Sequence, residues 1–318
     1  MNHSDLFSPE LLDSLGVLDW GYTEEALPRS YEKFESWVAE SRHTPLTYLS
    51  DHRRDLRKDL RSVYPEFKSA LVFIFSYQAT KKWMNENSQF RLAAYTLGFE
   101  GEDYHQQLRA RLATLKESLQ LEGLGSFVSL DAEPVLERDL AHRAGLGWFA
   151  KNSMLIHQKH GSYFLIGSLL LDRKLDLSAR AVDVDHCGQC TACAEACPTA
   201  AIDLETRTLI SSRCISTFTI ETFKEAEPPA GFENSRGEVF GCDICQDVCP
   251  WNRRPLERVT GFLRLNASFE FLRTLFLETP REKLRELINS ESNRSFKRKL
   301  RGTALDRPGR VGWLKNLR

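Results

Sequence analysis

Two closely spaced cysteine runs constrain this chain more than any other feature of its sequence. The first run, "CGQCTACAEACP", places Cys187, Cys190, Cys193 and Cys197 at gaps of two, two and three residues, with Pro198 behind them. This is the C-x2-C-x2-C-x3-C-P spacing of bacterial ferredoxins, whose thiolates hold iron–sulfur clusters. Tetrahedral zinc usually draws on two separated C-x2-C pairs, so the spacing favours a [4Fe–4S] cluster over structural zinc.

A second run and one isolated residue complete the set of eight cysteines. Cys242, Cys245 and Cys249 precede Pro250, and Cys214 stands apart between the two runs. In two-cluster ferredoxins the fourth cysteine of a run ligates the other cluster. This crossover rule predicts two [4Fe–4S] clusters with two ligand sets: Cys187, Cys190, Cys193 and Cys249 for one cluster, and Cys197, Cys214, Cys242 and Cys245 for the other.

Apolar patterning upstream of the cysteines predicts an α/β domain over residues 1–180. The run "SALVFIFSY" (Ser69 to Tyr77) has the composition of a buried strand, and the segments 125–131 and 161–172 are further strand candidates. Between them, a helix over 103–121 is predicted by one apolar stripe, formed by Leu108, Leu112, Leu115 and Leu119. We therefore expect three parts: residues 1–180, a cysteine-rich domain over 181–255, and a helical basic segment over 256–318.

Charge is balanced over the whole chain but concentrated near its end. The net charge is −1, which indicates no general preference for nucleic acid or membrane. Residues 294–318 nevertheless oppose one acid, Asp306, with nine basic residues: Arg294, Lys297, Arg298, Lys299, Arg301, Arg307, Arg310, Lys315 and Arg318. Clustered Lys and Arg side chains bind phosphates without reading a base sequence, although a charge run is as often a solvated face.

The N-terminus and the apolar runs predict a soluble cytoplasmic protein with no membrane attachment. "MNHSDLFSPELLDSLG" has no basic start followed by an apolar stretch, as a secretory signal would. The run "ALVFIF" is far shorter than the roughly 20 apolar residues that span a bilayer. A reducing cytosol also disfavours structural disulfides among the cysteines.

The length of chain ahead of the cysteines indicates a second redox centre. Two neighbouring clusters conduct electrons, and about 180 residues precede them here. That region contains no G-x-G-x-x-G, so a Rossmann dinucleotide site is not supported. A flavin, a haem and a corrinoid all remain open from composition alone.

Five motifs together resemble the epoxyqueuosine reductase family, and the likeness covers nearly the whole chain. They are "DYH" (103–105), "AGLGWFAKNSMLI" (144–156), "RCISTFTIE" (213–221), "GCDICQDVCPWN" (241–252) and "RGTALDRPGRVGWLKNL" (301–317). The resemblance implies an α+β protein, with a nitroreductase-like α/β domain that binds cobalamin followed by a ferredoxin-like domain with two [4Fe–4S] clusters. It also implies reduction of epoxyqueuosine to queuosine at the wobble position of tRNA, the last step of queuosine biosynthesis.

The resemblance also implies particular site residues. The family's proton donor is an aspartate that follows a strand, which matches Asp131 in "SLDAEPVLERDLA"; Asp139 is its rival in the same segment. A donor carboxyl must stay protonated near neutral pH, so we expect Asp131 to be desolvated with a raised pKa. The candidate cobalamin contacts, besides Asp131, are Arg57, Tyr104, His105, Asn152 and Ser216. Each of them is also compatible with an ordinary structural role.

The segment "DYHQQL" departs from the D-x-H-x-x-G signature of many cobalamin proteins. We therefore expect no histidine below the cobalt and a base-off cofactor, as the family implies. The sequence departs from the family at Leu60, where a proline is usual, and in a longer connection between Tyr95 and Asp103.

Partners follow from the same resemblance. We expect the tRNAs for Asp, Asn, His and Tyr, an external electron donor such as ferredoxin or flavodoxin, and a monomer. The basic segment would contact tRNA, and a wobble base would stack on an aromatic side chain such as Phe218, Phe223 or Trp251. Three alternatives stay open: a corrinoid reductase of a small molecule such as an organohalide, an electron-carrying ferredoxin module, and a zinc-stapled RNA-binding protein.

Overall fold

Helices and short strands alternate along the chain in a computed structural model that describes residues 6–87, 91–119, 121–222, 226–259 and 266–318. The described helices are α1 (Pro9–Ser14), α2 (Tyr31–Ala39), α3 (Arg53–Leu56), α4 (Gln78–Asn87), α5 (Tyr104–Ser118), α6 (Glu137–Arg143), α7 (Ala192–Glu195), α8 (Ile244–Asp247), α9 (Pro250–Arg258), α10 (Ala267–Arg273), α11 (Arg281–Ser290), α12 (Asn293–Leu300) and α13 (Gly309–Asn316). The described strands are β1 (Val17–Thr23), β2 (Ser69–Ser76), β3 (Arg91–Leu92), β4 (Ser126–Ser129), β5 (Trp148–Phe149), β6 (Leu155–Ile156), β7 (Phe164–Leu171), β8 (Ile202–Asp203), β9 (Thr208–Leu209) and β10 (Glu238–Phe240).

The chain divides into two compact units that are not continuous in sequence. The first takes the residues up to Ser41, Thr47–Ser76 and His105–Gln189. The second takes Arg42–Leu46, Tyr77–Tyr104 and the chain from Cys190 onward. The segment Tyr77–Tyr104 contains α4 and β3 and lies far from the cysteines in sequence, so the grouping with the cysteine-rich part was not predicted. The division into domains at residues 180 and 255 stays a prediction.

A four-stranded antiparallel sheet organises the first unit, with the strand order β1-β2-β7-β4. The central strand β2 pairs with β7 from Ser69 opposite Leu171 to Ser76 opposite Phe164. Its residues 69–75 are all buried, because helices cover both faces of the sheet. This explains why its sequence is a continuous apolar run rather than an alternation. The strands predicted from apolar patterning are confirmed, and the mixed helix and sheet architecture confirms the α+β class.

Alternate residues of β2 face two different helical layers. Val72 and Ile74 belong to the core cluster that contains Leu140 of α6. On the opposite face, the ring of Phe73 lies 5.5 Å from that of Phe7, in an edge-to-face arrangement next to α1. The period of two along a strand therefore assigns each side chain to one layer.

Helix α5 packs on the sheet through the predicted leucine stripe. Leu108, Leu112 and Leu115 are fully buried, and Leu119 is 7% exposed. A Cβ placed on Gly167 of β7 would lie 3.0 Å from a methyl carbon of Leu112, so the helix approaches the strand closely at this glycine. The helix predicted over 103–121 is thereby confirmed, although it ends at Ser118.

The second unit contains the helical turns α7 and α8 and the helices of the C-terminal region. The short hairpin β8–β9 and the parallel pair β3–β10 accompany them. Its core is built on Trp313 of α13, whose ring lies 4.5 Å from that of Phe276 and 5.6 Å from that of Phe240. The indole Nε1 of Trp313 donates to the carbonyl of Leu305 at 2.9 Å, which satisfies its buried N–H group.

Across the described parts of the chain, every helix is too short or too polar to serve as a membrane-spanning segment.

Candidate active site and cluster loops

Asp131 lies in the loop between β4 and α6 and presents its side chain outward. Its carboxyl is 57% exposed, and its Oδ2 lies 3.3 Å from Nε2 of His105 in the first turn of α5. The backbone of Asp131 is left-handed, with φ +54°. Left-handed conformations are uncommon for residues other than glycine, and Asp adopts them more readily than most. The loop and the start of α5 therefore bring an acid and a histidine side by side in the first unit.

Two glutamates bind consecutive backbone amides of this loop. Leu130 N–H donates to Oε2 of Glu133 at 2.7 Å, and Asp131 N–H donates to the carboxyl of Glu137 at the start of α6. The other oxygen of Glu133 accepts from Arg109 at 2.7 Å. Since Arg109 lies one turn after His105 on α5, the helix contacts the loop at two points.

Glu137 is half-buried, whereas Asp131 is exposed. Burial, together with the charges of Asp131 and Glu133, raises the pKa of Glu137 to about 8. The raised pKa favours the protonated form of Glu137 near neutral pH. The expectation that Asp131 is desolvated is wrong, because more than half of that side chain is exposed.

Asp139, the rival acid, is an internal structural residue. It is 2% exposed, and its two oxygens accept from Nε of Arg143 at 2.5 Å and from Ser30 N–H at 2.7 Å. Arg143 is equally buried and also donates to the carbonyl of Glu25. A buried charge needs a partner of opposite sign, and this ion pair supplies one.

Arg57 follows α3 and carries a buried nitrogen that has no hydrogen-bond partner in the described part of the chain. This atom is Nη1, and the guanidinium carbon lies 5.7 Å from the ring centre of Phe34. Burial, and secondarily the charge of Arg53, lowers the pKa of Arg57. A buried donor without an acceptor costs free energy, so Arg57 is suited to a ligand with oxygen acceptors. Leu60, which departs from the family pattern, is a core residue at 4% exposure.

Asn152 is buried in the turn between β5 and β6. Its Oδ1 accepts from Met154 N–H at 3.2 Å, which closes the turn. The guanidinium of Arg138 donates to the carbonyl of Ser153, so the turn is attached to the start of α6 next to Glu137. The first unit thus places the Asp131 loop and the Asn152 turn on either side of one helix start.

Tyr104 and Ser216 are described within the second unit. The ring of Tyr104 lies edge-on to that of Tyr95, with 5.7 Å between their centres. Ser216 is half-buried and immediately precedes a π-helical turn, Thr217–Glu221. Their roles as cofactor contacts stay a prediction.

The cysteines of the second unit flank two short helical turns that contact each other. Cys190, Cys193 and Cys197 surround α7, and Cys242, Cys245 and Cys249 surround α8. Ala201 N–H points to the sulfur of Cys197 at 3.4 Å, an interaction of the kind that tunes cluster sulfurs.

Burial and mutual proximity characterise the thiols of the second predicted set. Burial raises the pKa of Cys214, Cys242 and Cys245, and each is raised further by neighbouring cysteines: Cys214 by Cys197, Cys242 by Cys245 and Cys214, and Cys245 by Cys214, Cys193 and Cys197. Buried thiols ionise when they coordinate metal, so this donor set fits iron. The division of the cysteines into two ligand sets stays a prediction.

The basic C-terminal region is partly internal. Lys315 is 4% exposed, stacks 3.8 Å above the ring of Phe218 and donates to the carbonyls of Phe218 and Thr222. Burial lowers its pKa to about 8. Arg310 is also turned inward, toward the carbonyl of Ile288. Lys315 and Arg310 therefore add less positive charge to the protein surface than a count from the sequence suggests.

Four other cations form a continuous exposed face on α12 and the residue that follows it. Arg294, Lys297, Arg298 and Arg301 have the spacing i, i+3, i+4 and i+7, which places them on one side of a helix. We call this set the basic stripe. Phe296 and Leu300 bury the opposite side of the helix.

The aromatic candidates for base stacking differ in position. Phe218 is 6% exposed and already carries Lys315, so its assignment as a stacking platform is wrong. Trp251 is half-buried at the start of α9. Phe223 lies outside the described residues.

Sequence reasoning missed Arg109, Glu133 and Glu137. The acid-rich stretch "DAEPVLERD" was the available signal, but spacing alone does not show which carboxyls bind the backbone.

The fold and the paired cysteine loops define an iron–sulfur oxidoreductase of mixed α and β structure. A family model described as "4Fe-4S double cluster binding domain" matches residues 186–252, and one described as "Epoxyqueuosine reductase QueG, DUF1730" matches residues 57–131. The chain belongs to the epoxyqueuosine reductase family, which confirms the resemblance seen in its motifs.

Individual relatives support this membership over most of the chain. The epoxyqueuosine reductase of Cyclobacterium marinum is 35% identical over 308 residues, which cover 96% of this chain and 91% of the relative. A solved epoxyqueuosine reductase with an epoxyqueuosine-modified tRNA-Tyr stem loop superposes with a TM-score of 0.70 at 26% identity, covering 97% of this chain and 79% of that one. The Bacillus subtilis enzyme, solved with its catalytic aspartate loop swung out of the active site, gives a TM-score of 0.69 at 26% identity, with the same coverage.

The two aspartates of the site segment should differ sharply in their effect on stability. Asp139→Asn leaves the buried guanidinium of Arg143 without its counter-charge, so the free energy of unfolding should fall by about 3–5 kcal/mol. Asp131→Asn is the matched control, since that carboxyl is exposed and Asn tolerates the left-handed backbone; its change should stay within about 0.5 kcal/mol. Urea unfolding followed by circular dichroism measures both. Equal losses would contradict the structural role of Asp139.

Substitution of single cysteines tests the crossover of ligands between clusters. Cys187→Ala and Cys249→Ala should abolish the same cluster signal in electron paramagnetic resonance, while Cys197→Ala and Cys245→Ala abolish the other. Each variant should lose about four of about eight iron atoms per chain. Grouping of Cys249→Ala with Cys245→Ala would show that no crossover exists, and colourless protein with bound zinc would exclude the clusters.

Proposed function

We propose that this chain reduces the epoxide of epoxyqueuosine in tRNA to give queuosine, with Asp131 as the proton donor. The observation that carries the proposal is the outward-facing carboxyl of Asp131, held 3.3 Å from His105 in a member of the epoxyqueuosine reductase family. The relative with a catalytic aspartate loop supports the same assignment for the Asp131 loop.

The chemistry explains why an acid is needed. Removal of the epoxide oxygen breaks both carbon–oxygen bonds, forms a carbon–carbon double bond and releases water, so it consumes two electrons and two protons. An alkoxide is a poor leaving group, and a positioned acid lowers the barrier by protonating it as it departs. Asp131 is exposed enough to reach a substrate, and the neighbouring His105 is placed to return a proton to its carboxylate.

The first unit has features that fit cobalamin. The buried Nη1 of Arg57, which has no hydrogen-bond partner among the described residues, offers a donor to the amide or phosphate oxygens of a corrinoid. The buried Asn152 turn lies next to the start of α6. Bound cobalamin would supply low-valent cobalt as the source of the two electrons. A base-off form of the cofactor is part of this proposal, and His105 would then act through its contact with Asp131. Tyr104 and Ser216 complete the proposed set of contacts.

The cysteine loops would refill that centre one electron at a time. Cys187, Cys190, Cys193 and Cys249 would hold one [4Fe–4S] cluster, and Cys197, Cys214, Cys242 and Cys245 the other. An external ferredoxin or flavodoxin would deliver the electrons to a monomeric protein.

The basic stripe is the proposed contact for the tRNA backbone. Its four cations are exposed, and the stem-loop complex of a relative supports an RNA substrate. Phosphate contacts position an RNA, whereas base contacts specify it. The substrates would be the tRNAs for Asp, Asn, His and Tyr, and the reaction would take place in the cytoplasm.

The proton-donor role predicts a selective loss of turnover in Asp131→Asn. The reconstituted variant should bind tRNA and retain its iron, yet lose about 10²–10⁴-fold in rate, the usual contribution of general acid catalysis. Mass spectrometry of nucleosides from epoxyqueuosine tRNA, under anaerobic conditions with a strong reductant, measures the product. Unchanged turnover would transfer the acid role elsewhere, and no queuosine from the intact wild type would refute the proposed activity.

Removal of two charges from the basic stripe should weaken tRNA binding. Lys297→Ala with Arg298→Ala should lower the affinity and reduce the slope of log K against log salt by up to about 1.4, since single-stranded phosphates contribute about 0.7 each. Lys283→Ala with Arg285→Ala, on exposed positions of α11, removes the same charge and should have little effect. Fluorescence anisotropy with a labelled anticodon stem loop measures both variants, and equal slopes would show that the stripe makes no contact.

A further inference from the structure

The Asp131 loop is held by side chains that the proposed reaction does not itself use. Leu130 and Asp131 are consecutive, and each donates its backbone N–H to a different carboxyl, Glu133 and Glu137 respectively. Hydrogen bonds from backbone amides to carboxyl oxygens have a defined length and direction. The two bonds therefore specify both the position and the orientation of the loop.

The backbone of the loop would not keep this conformation unaided. Asp131 has a left-handed φ of +54°. Such conformations persist only where the surrounding structure imposes them. Loss of either carboxyl would allow the residue to relax toward an extended or right-handed conformation, which turns its side chain in a different direction.

Helix α5 determines where the loop is held. Arg109 forms an ion pair with Glu133 at 2.7 Å, and Glu133 is 15% exposed in its side chain. One turn earlier on the same helix, His105 contacts the carboxyl of Asp131. The buried leucine stripe packs α5 against the sheet. The contacts of His105 and Arg109 therefore fix the position of the loop relative to the sheet.

We propose that Glu133 and Glu137 form a carboxyl clamp that positions the Asp131 loop for proton transfer, with Arg109 holding the clamp on α5. The inference rests on the proposed function for its catalytic consequence, but the clamp itself is a property of the loop. Glu133, Glu137 and Arg109 are positioning residues, since they act through Asp131. The raised pKa of Glu137 is consistent with this arrangement, because a neutral carboxyl beside Asp131 avoids a second negative charge.

Two substitutions at Glu137 separate positioning from direct acid chemistry. Glu137→Ala removes the acceptor for Asp131 N–H, and should lower kcat about tenfold or more with an unchanged KM for tRNA. Glu137→Gln keeps an oxygen acceptor at the same position, so it should restore most of the activity. If Glu137→Gln is as impaired as Glu137→Ala, Glu137 acts through its proton and the clamp is refuted for that residue.

Hydrogen exchange of the loop amides tests the clamp independently of turnover. In the holoprotein, a peptide that covers residues 126–137 should exchange the amides of Leu130 and Asp131 about tenfold faster in Glu137→Ala and Glu133→Ala than in the wild type. Arg109→Met tests the same point without touching the loop, and should also accelerate exchange. Glu117→Gln, an exposed position on α5, is the control and should match the wild type.

The two readouts distinguish failure of the clamp from failure of the proposed function. Unchanged exchange in Glu137→Ala and Arg109→Met would overturn the clamp, even where Asp131→Asn abolishes turnover. Faster exchange in the clamp variants, together with an active Asp131→Asn, would leave the clamp standing and refute Asp131 as the acid. Circular dichroism and iron content identify any variant that fails to fold, and Arg109→Met then decides the outcome.

Discussion

The close packing of α5 against β7 is the contact on which the candidate active site depends. Gly167 has no side chain, and a Cβ there would lie 3.0 Å from Leu112 and 3.2 Å from Phe75. The helix therefore approaches the sheet more closely than it could beside another residue. This approach determines the position of His105 and Arg109, which project from the same helix toward the Asp131 loop.

Burial distinguishes the roles of the carboxyl groups in one short segment. Asp139 lies inside the unit with Arg143 as its counter-charge, so its function is to stabilise the fold. Asp131 is exposed and can meet a substrate. Glu137 lies between these extremes, and desolvation raises its pKa. Three acids with similar intrinsic chemistry thus differ in exposure and in hydrogen-bond partners because their surroundings differ.

In the C-terminal region, the net charge counted from the sequence is larger than the charge that the surface exposes. The ammonium group of Lys315 stacks on the ring of Phe218 and donates hydrogen bonds to two carbonyls. Arg310 caps α11 by donating to the carbonyl of Ile288. The basic stripe on α12 remains exposed on one side of a helix. The exposed positive charge is therefore smaller than the nine basic residues of the sequence suggested.

The sequence by itself determined what depends on short-range spacing. Cysteine gaps indicated clusters, a leucine stripe predicted α5, and apolar runs predicted β2, β4 and β7, because each of these signals is local. The motif resemblance also identified the family. Only the tertiary structure separated Asp131 from Asp139, found Glu133 and Glu137 beneath the loop, and turned Lys315 inward. Those outcomes depend on burial and on hydrogen bonds between residues distant in the chain, such as Ser30 with Asp139 and Arg109 with Glu133. Local spacing does not show which polar groups lie together in the low-dielectric interior. Their burial and their partners there determine the chemistry of these groups.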